Sequence, residues 1–117
     1  MNQEKMAVLN ECGIDYAEGL NRFMNNEALF EKFLLKFPDD TSYQELTAAL
    51  ARGDCQAAFR AAHTLKGVAG NLSMKRLFEK VAAQTEQLRG GNLEAGQLMM
   101  EEIAPLYDRI VAAVKAE

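Results

Sequence analysis

The chain has 117 residues, 49% of them hydrophobic and 26% charged, with a formal net charge of −4 and an isoelectric point near 5.1. That is one domain's worth of chain, 1–117, long enough to bury a single core, and its acidity argues against a nucleic-acid partner, which calls for a basic face. No apolar run approaches the roughly 18 residues of a membrane span, and Cys12 and Cys55 lack CxxC spacing, so neither a disulfide framework nor a zinc site is indicated; the expectation is a cytoplasmic monomer with buried, reduced thiols.

Apolar residues recur at helical spacing, and alternating β-branched or aromatic runs are missing, so an all-α fold is predicted. A weak helix up to Glu11 carries Met6 and Leu9 on one side and stops at Cys12-Gly13. Asp15 caps a short helix through about Met24, and Asn25-Asn26 offers a cap for "EALFEKFLLKF". There Leu29, Phe30, Phe33, Leu34 and Phe37 form an i, i+3, i+4 stripe read as core, and Pro38 stops the helix.

Ser42 and Glu45 in "SYQELTAALARG" read as a capping box, with Leu46, Ala49 and Leu50 buried and Gly53 as the stop. Asp54 caps a helix running to about Asn71. Ser73 caps another from Met74 to Arg89, ended by Gly90-Gly91. Asn92 caps the last, whose stripe runs from Leu93 to Val114. Pro105 inside it removes a hydrogen bond to the Glu101 carbonyl, so a kink is expected there. Short connections predict an up-and-down antiparallel four-helix bundle with short N-terminal helices appended.

The stretch "AAHTLKGVAGNL" holds His63, the only histidine of the sequence. With His63 as origin and about 100° per residue, Ala58, Ala61, Leu65, Val68, Ala69 and Leu72 fall opposite it, whereas Gln56, Phe59, Arg60, Lys66, Gly67 and Gly70 fall within roughly 60°. His63 therefore centres an outward face. Two glycines inside a helix sacrifice on the order of 2 kcal/mol of helix stability. Lying away from the core, they are read as leaving room for a partner. Lys66 can reach an anion on the ring, and Phe59 adds an apolar contact.

Metal binding wants three or four ligands, and this face offers one histidine and no acid. Acid-base catalysis wants a concave pocket and an orienting carboxylate, whereas this surface is convex. An exposed imidazole suits nucleophilic attack on a phosphoryl group brought by a partner, with Lys66 helping to neutralise its charge.

"AAHTLKGVAGNL", with its H-x-x-K-G core and downstream glycine, closely resembles the phosphorylation-site helix of histidine-containing phosphotransfer (HPt) domains. "GIDYAEGLNRF" is similar to the short helix entering that family's bundle, and "ALARGDCQAAFRAAH" to the loop before its active helix, so the likeness covers about Gly13 to Arg89. It implies a four-helix bundle without kinase activity that takes a phosphoryl group from the phosphoaspartate of one receiver domain and passes it to another. It further implies that His63 is the phosphoacceptor, at the ring nitrogen distal to the backbone, that Lys66 assists the phosphate, and that Gly67 lets the receiver dock. No cofactor is expected on this chain, since Mg2+ would sit in the receiver. Expected partners are receiver domains of response regulators and of a hybrid sensor histidine kinase.

Two departures stand out. The family commonly has glycine in the loop after the active helix, where this chain has Ser73. It also often places a Gln or Glu on the next helix to hydrogen-bond the imidazole; an ungapped count lands that role on Thr85, between Gln84 and Glu86, and the choice stays open. Two other readings also stay open: direct phosphorylation by a chemotaxis-type kinase, and a receiver-binding module without phosphotransfer. Met1 and the compact end favour a free-standing protein, and the resemblance implies a bacterial one. Lys75, Arg76 and Lys80 form a basic group near the end of the active helix, read as solvated or as facing a receiver's acidic site.

Overall fold

A computed structural model describes residues 2–116, and eight α-helices run along them: α1 (Gln3–Glu11), α2 (Tyr16–Arg22), α3 (Glu27–Lys36), α4 (Ser42–Ala51), α5 (Cys55–Asn71), α6 (Lys75–Arg89), α7 (Leu93–Leu98) and α8 (Met100–Lys115), with a 3-10 turn at Phe37–Asp39. Side-chain caps set several of the starts. Asp15 accepts from the N–H of Glu18 at 3.0 Å, Asn26 from Leu29 at 3.1 Å, Asp54 from Ala57 at 3.0 Å and Asn92 from Ala95 at 3.1 Å. Each bond satisfies a backbone donor that has no carbonyl within its own helix.

The two serines expected as caps do other work. Ser42 is the first residue of α4 and buried, and both its N–H and its hydroxyl donate to Asp40. A carboxylate two residues upstream is the stronger acceptor and displaces the capping box. Ser73 stands one residue too early, at φ +54°, with Met74 in the cap position of α6. Its hydroxyl donates to Glu18 at 3.1 Å and its carbonyl accepts from the N–H of Asp15 at 2.8 Å. Those bonds hold a serine in backbone space that favours glycine, where the resemblance leads one to expect glycine.

Helices α4, α5, α6 and α8 make the antiparallel bundle: α5 packs between α4 and α6, α6 packs on α8, and Tyr43 of α4 stacks on Tyr107 of α8 with centroids 3.7 Å apart. The buried face of α5 is Ala58, Ala61, Ala62, Leu65 and Ala69. Four alanines in that set let both neighbours approach closely. The expected core residues Leu46, Ala49 and Leu50 of α4 are buried, as are Ile103, Tyr107, Ile110 and Val114 of α8.

The stripe on α3 is narrower than its periodicity suggests. Phe30, Leu34 and Phe37 are buried, but Leu29 and Phe33 are 38% and 44% exposed. Only one side of α3 meets neighbours: Phe30 packs on Tyr16 and Phe23, and Phe37 on Tyr107. Phe33 rests at the surface against Phe23.

The last helix, expected to run unbroken from Leu93, is interrupted at Met99, which separates α7 from α8, while Pro105 lies inside α8. A proline ring has no N–H to give the carbonyl four residues back, here that of Glu101 in the first turn of α8. At the other end, the N-terminal segment is tied to the turn between α5 and α6 by an isolated bridge between Ile14 and Met74. Arg76 adds two bonds there, from its N–H to Gly13 at 3.4 Å and from its guanidinium to the Glu11 carbonyl at 3.0 Å.

Candidate functional site

Helix α5 is the longest in the molecule among the described residues, and its amphipathic pattern decides which way His63 points. The alanine-rich side is held by α4 and α6, so His63 is exposed, together with Gln56, Arg60 and Gly67 on the same side, while Phe59, Lys66 and Gly70 are half-buried. Thr64, beside His63, donates to the Arg60 carbonyl at 3.1 Å, which keeps its polar group within the helix.

The two glycines have different surroundings. A methyl group placed on Gly67 would meet nothing within 4 Å, whereas one on Gly70 would lie 3.2 Å from Cδ2 of Phe78. Open space at Gly67 fits the expectation that it leaves room outside. The same expectation for Gly70 needs correction, because packing of α6 on α5 already accounts for that glycine through the Phe78 ring. A groove of about 560 Å³ passes both glycines and continues between Glu18, Arg22, Asn71, Lys75 and Phe78.

Charge around the site is divided between occupied and available groups. Lys75 donates to Glu18 at 2.6 Å and reaches Asp15 at 3.5 Å. The bond with Lys75 holds the Glu18 carboxyl below the usual carboxylate range, and the same bond pushes the Lys75 ammonium up. Lys80 pairs with Glu102 at 3.4 Å. The basic group Lys75, Arg76 and Lys80 is thus engaged within the fold. Lys66, by contrast, makes no ion pair among the described residues. At the start of α5, the N–H of Ala57 keeps the Asp54 carboxyl below its ordinary value.

The chain belongs to the Hpt domain family. The sequence model of the Hpt domain matches residues 28–115, three quarters of the chain and all of helices α4 to α8. Hpt domains serve histidine phosphotransfer in phosphorelays, as carrier modules that work with receiver domains and histidine kinases and have no catalytic activity of their own. Comparison with curated proteins and with solved structures finds no match. The Hpt match begins later than the resemblance noted in the sequence, leaving α1 and α2 outside it, and ends later, taking in α8. Among the described residues no helix is long and apolar enough to cross a membrane.

Of the three positions weighed for orienting the imidazole in this Hpt domain, none hydrogen-bonds it among the described residues. Thr85 is fully buried and donates to the Val81 carbonyl at 2.7 Å. Gln84 turns the other way, donating to the Gly96 carbonyl at 2.9 Å and to Sδ of Met100 at 3.2 Å. Glu86 accepts from Arg89 at 3.1 Å. The ring that does meet His63 is Phe59, centroids 6.1 Å apart at 24°, and over Phe59 lies the guanidinium of Arg89 at 4.8 Å. Sequence reading placed Phe59 in a partner interface and did not find Arg89, whose place over Phe59 depends on the register of α6 against α5.

Proposed function

We propose that this chain is a phosphorelay intermediate in which His63 accepts a phosphoryl group from the phosphoaspartate of one receiver domain and delivers it to the aspartate of another. The observation that carries this reading is the exposed imidazole at the centre of the outward face of α5, with open space above Gly67 one turn away. In the forward step, the lone pair of the ring nitrogen distal to the backbone attacks phosphorus. The P–N bond forms, the P–O bond to the aspartyl oxygen breaks, and the carboxylate is restored. The ring keeps the proton on its other nitrogen. Delivery to the second receiver is the reverse, with that receiver's carboxylate as nucleophile.

Each neighbour has a part in that exchange. Lys66 sets an ammonium one turn from His63 to offset charge on the moving phosphoryl oxygens. Gly67 admits the receiver's backbone, and Gln56, Arg60 and Gly70 border the contact. Mg2+ belongs to the receiver, which supplies the acidic residues that hold it. The working protein is read as a cytoplasmic monomer.

Intact-mass analysis after incubation with a phosphorylated receiver tests the acceptor. One added phosphoryl group on the wild type and none on His63→Gln is the expected result; an equal gain on both would refute His63 as acceptor.

A further inference from the structure

Phe59 and His63 sit one turn apart on α5, their rings 6.1 Å apart and 24° from parallel. Arg89 reaches over from the last turn of α6 with its guanidinium carbon 4.8 Å from the Phe59 centroid, and its Nε donates to Glu86 at 3.1 Å. Three flat groups from two helices therefore stand in sequence: a guanidinium anchored by a carboxylate, a half-buried phenyl ring and the exposed imidazole. The polar residues at this level of α6 are turned elsewhere, Thr85 to the Val81 carbonyl and Gln84 to Gly96.

An exposed histidine on a helix surface moves among several rotamers. In-line transfer tolerates little of that motion, since misplacing a reacting atom by about 1 Å costs on the order of a hundredfold in rate. We infer that Phe59 and Arg89 are positioning residues for His63: Phe59 restricts the imidazole by ring contact, and Arg89, held by Glu86, restricts Phe59. The inference rests on the reading of His63 as the acceptor. It assigns to an aromatic face and a cation the orienting task that a hydrogen-bonding side chain would otherwise perform. Arginine suits the outer position because its planar guanidinium stacks on an aromatic face, which a lysine ammonium does not reproduce.

The test uses the full chain and two readouts. Order of the His63 ring is measured by carbon-13 relaxation, and the rate of phosphorylation is measured with phosphoramidate, a small donor that needs no docking surface. The donor's P–N bond breaks as the imidazole–phosphorus bond forms, and ammonia leaves. Phe59→Leu is expected to lower ring order and slow phosphorylation by about three- to tenfold, with Phe59→Tyr restoring both. Arg89→Lys, which keeps the charge without the flat stack, is expected to lose as much as Arg89→Gln. Helical circular dichroism confirms folding of each variant.

Unchanged ring order in Phe59→Leu overturns the inference, as does lost order with an unchanged rate. A wild-type rate in Arg89→Lys beside a slowed Arg89→Gln also overturns it, since charge acting directly on the phosphate would then be the cause. A wild type that takes no phosphate from the donor refutes the acceptor reading itself, while ring order in the variants still decides the positioning.

Discussion

Phe78 of α6 lies across Gly70 of α5, so close that a methyl group on Gly70 would stand 3.2 Å from its Cδ2. One turn earlier, the space over Gly67 is empty within 4 Å. The pair separates two reasons for a glycine in the same helix, and they answer differently to substitution. Gly67→Ala gains helix propensity without a clash, so thermal melts should show a gain of about 1 kcal/mol. Gly70→Ala should gain less, because the partly exposed Phe78 ring has to shift. Gly67→Gln, which adds bulk over the open space, should slow transfer from a receiver far more than it alters the melt.

The N-terminal helices bear on the site through Glu18. Its carboxyl is held below the usual range first by the bond from Lys75 and then by the Ser73 hydroxyl and Arg22. The unfolded chain therefore takes up a proton here at higher pH than the folded one. The stabilisation is present above the ordinary carboxylate range and is lost as pH falls through the folded value. Lys75 shows the converse: its raised pKa gives stability below the ordinary lysine range that disappears as pH rises through the folded value. Melts across pH should show wild type and Glu18→Gln farthest apart near neutrality and converging in acid.

Tyr16 provides a pH dependence at the other extreme. Burial, followed by the charges of Glu27 and Glu31, pushes its phenol up to about 12. The unfolded chain ionises this group near pH 10. Stability should therefore fall as pH rises from the unfolded value toward the folded one, because only the unfolded state gains from losing the proton. Tyr16→Phe should flatten that part of the curve. Tyr43 and Tyr107 are also raised, chiefly by burial, so a phenolate absorbance titration of the native chain should lag behind free tyrosine.

Pro105 leaves the Glu101 carbonyl without its helical donor inside α8. It is exposed, so alanine can replace it without opening a cavity. Pro105→Ala should stabilise the chain by about 1–3 kcal/mol, measured by urea denaturation. Phosphorylation by a receiver should be unchanged.

Local chemistry was legible in the sequence wherever one segment decided it. Asp15, Asn26, Asp54 and Asn92 cap the helices that their positions announce. The angular sorting of α5 puts alanines inside and His63 outside because the helix is long and regular. Ser42 and Ser73 misled because competing acceptors, Asp40 and Glu18, outrank the nearest helix start, and Glu18 is 55 residues from Ser73. The α3 stripe misled because periodicity gives a direction and not the width of the neighbour that covers it.

The contacts that shape the site most directly were the least legible. Phe78 against Gly70 and Arg89 over Phe59 depend on how α6 is registered along α5, and nothing in either helix's own pattern states that register. Thr85 shows the same limit from the other side. Counting along the chain brings it to the level of His63, yet its hydroxyl goes to the Val81 carbonyl at 2.7 Å.

The most direct test of the central claim is to incubate the chain with a receiver carrying labelled phosphoaspartate, quench in alkali and in acid, and chase with a second receiver. Label should appear on the wild type and not on His63→Gln, survive alkali, disappear in acid and move to the second receiver. Label on His63→Gln, or a wild type that binds receivers and never takes up label, would contradict the account.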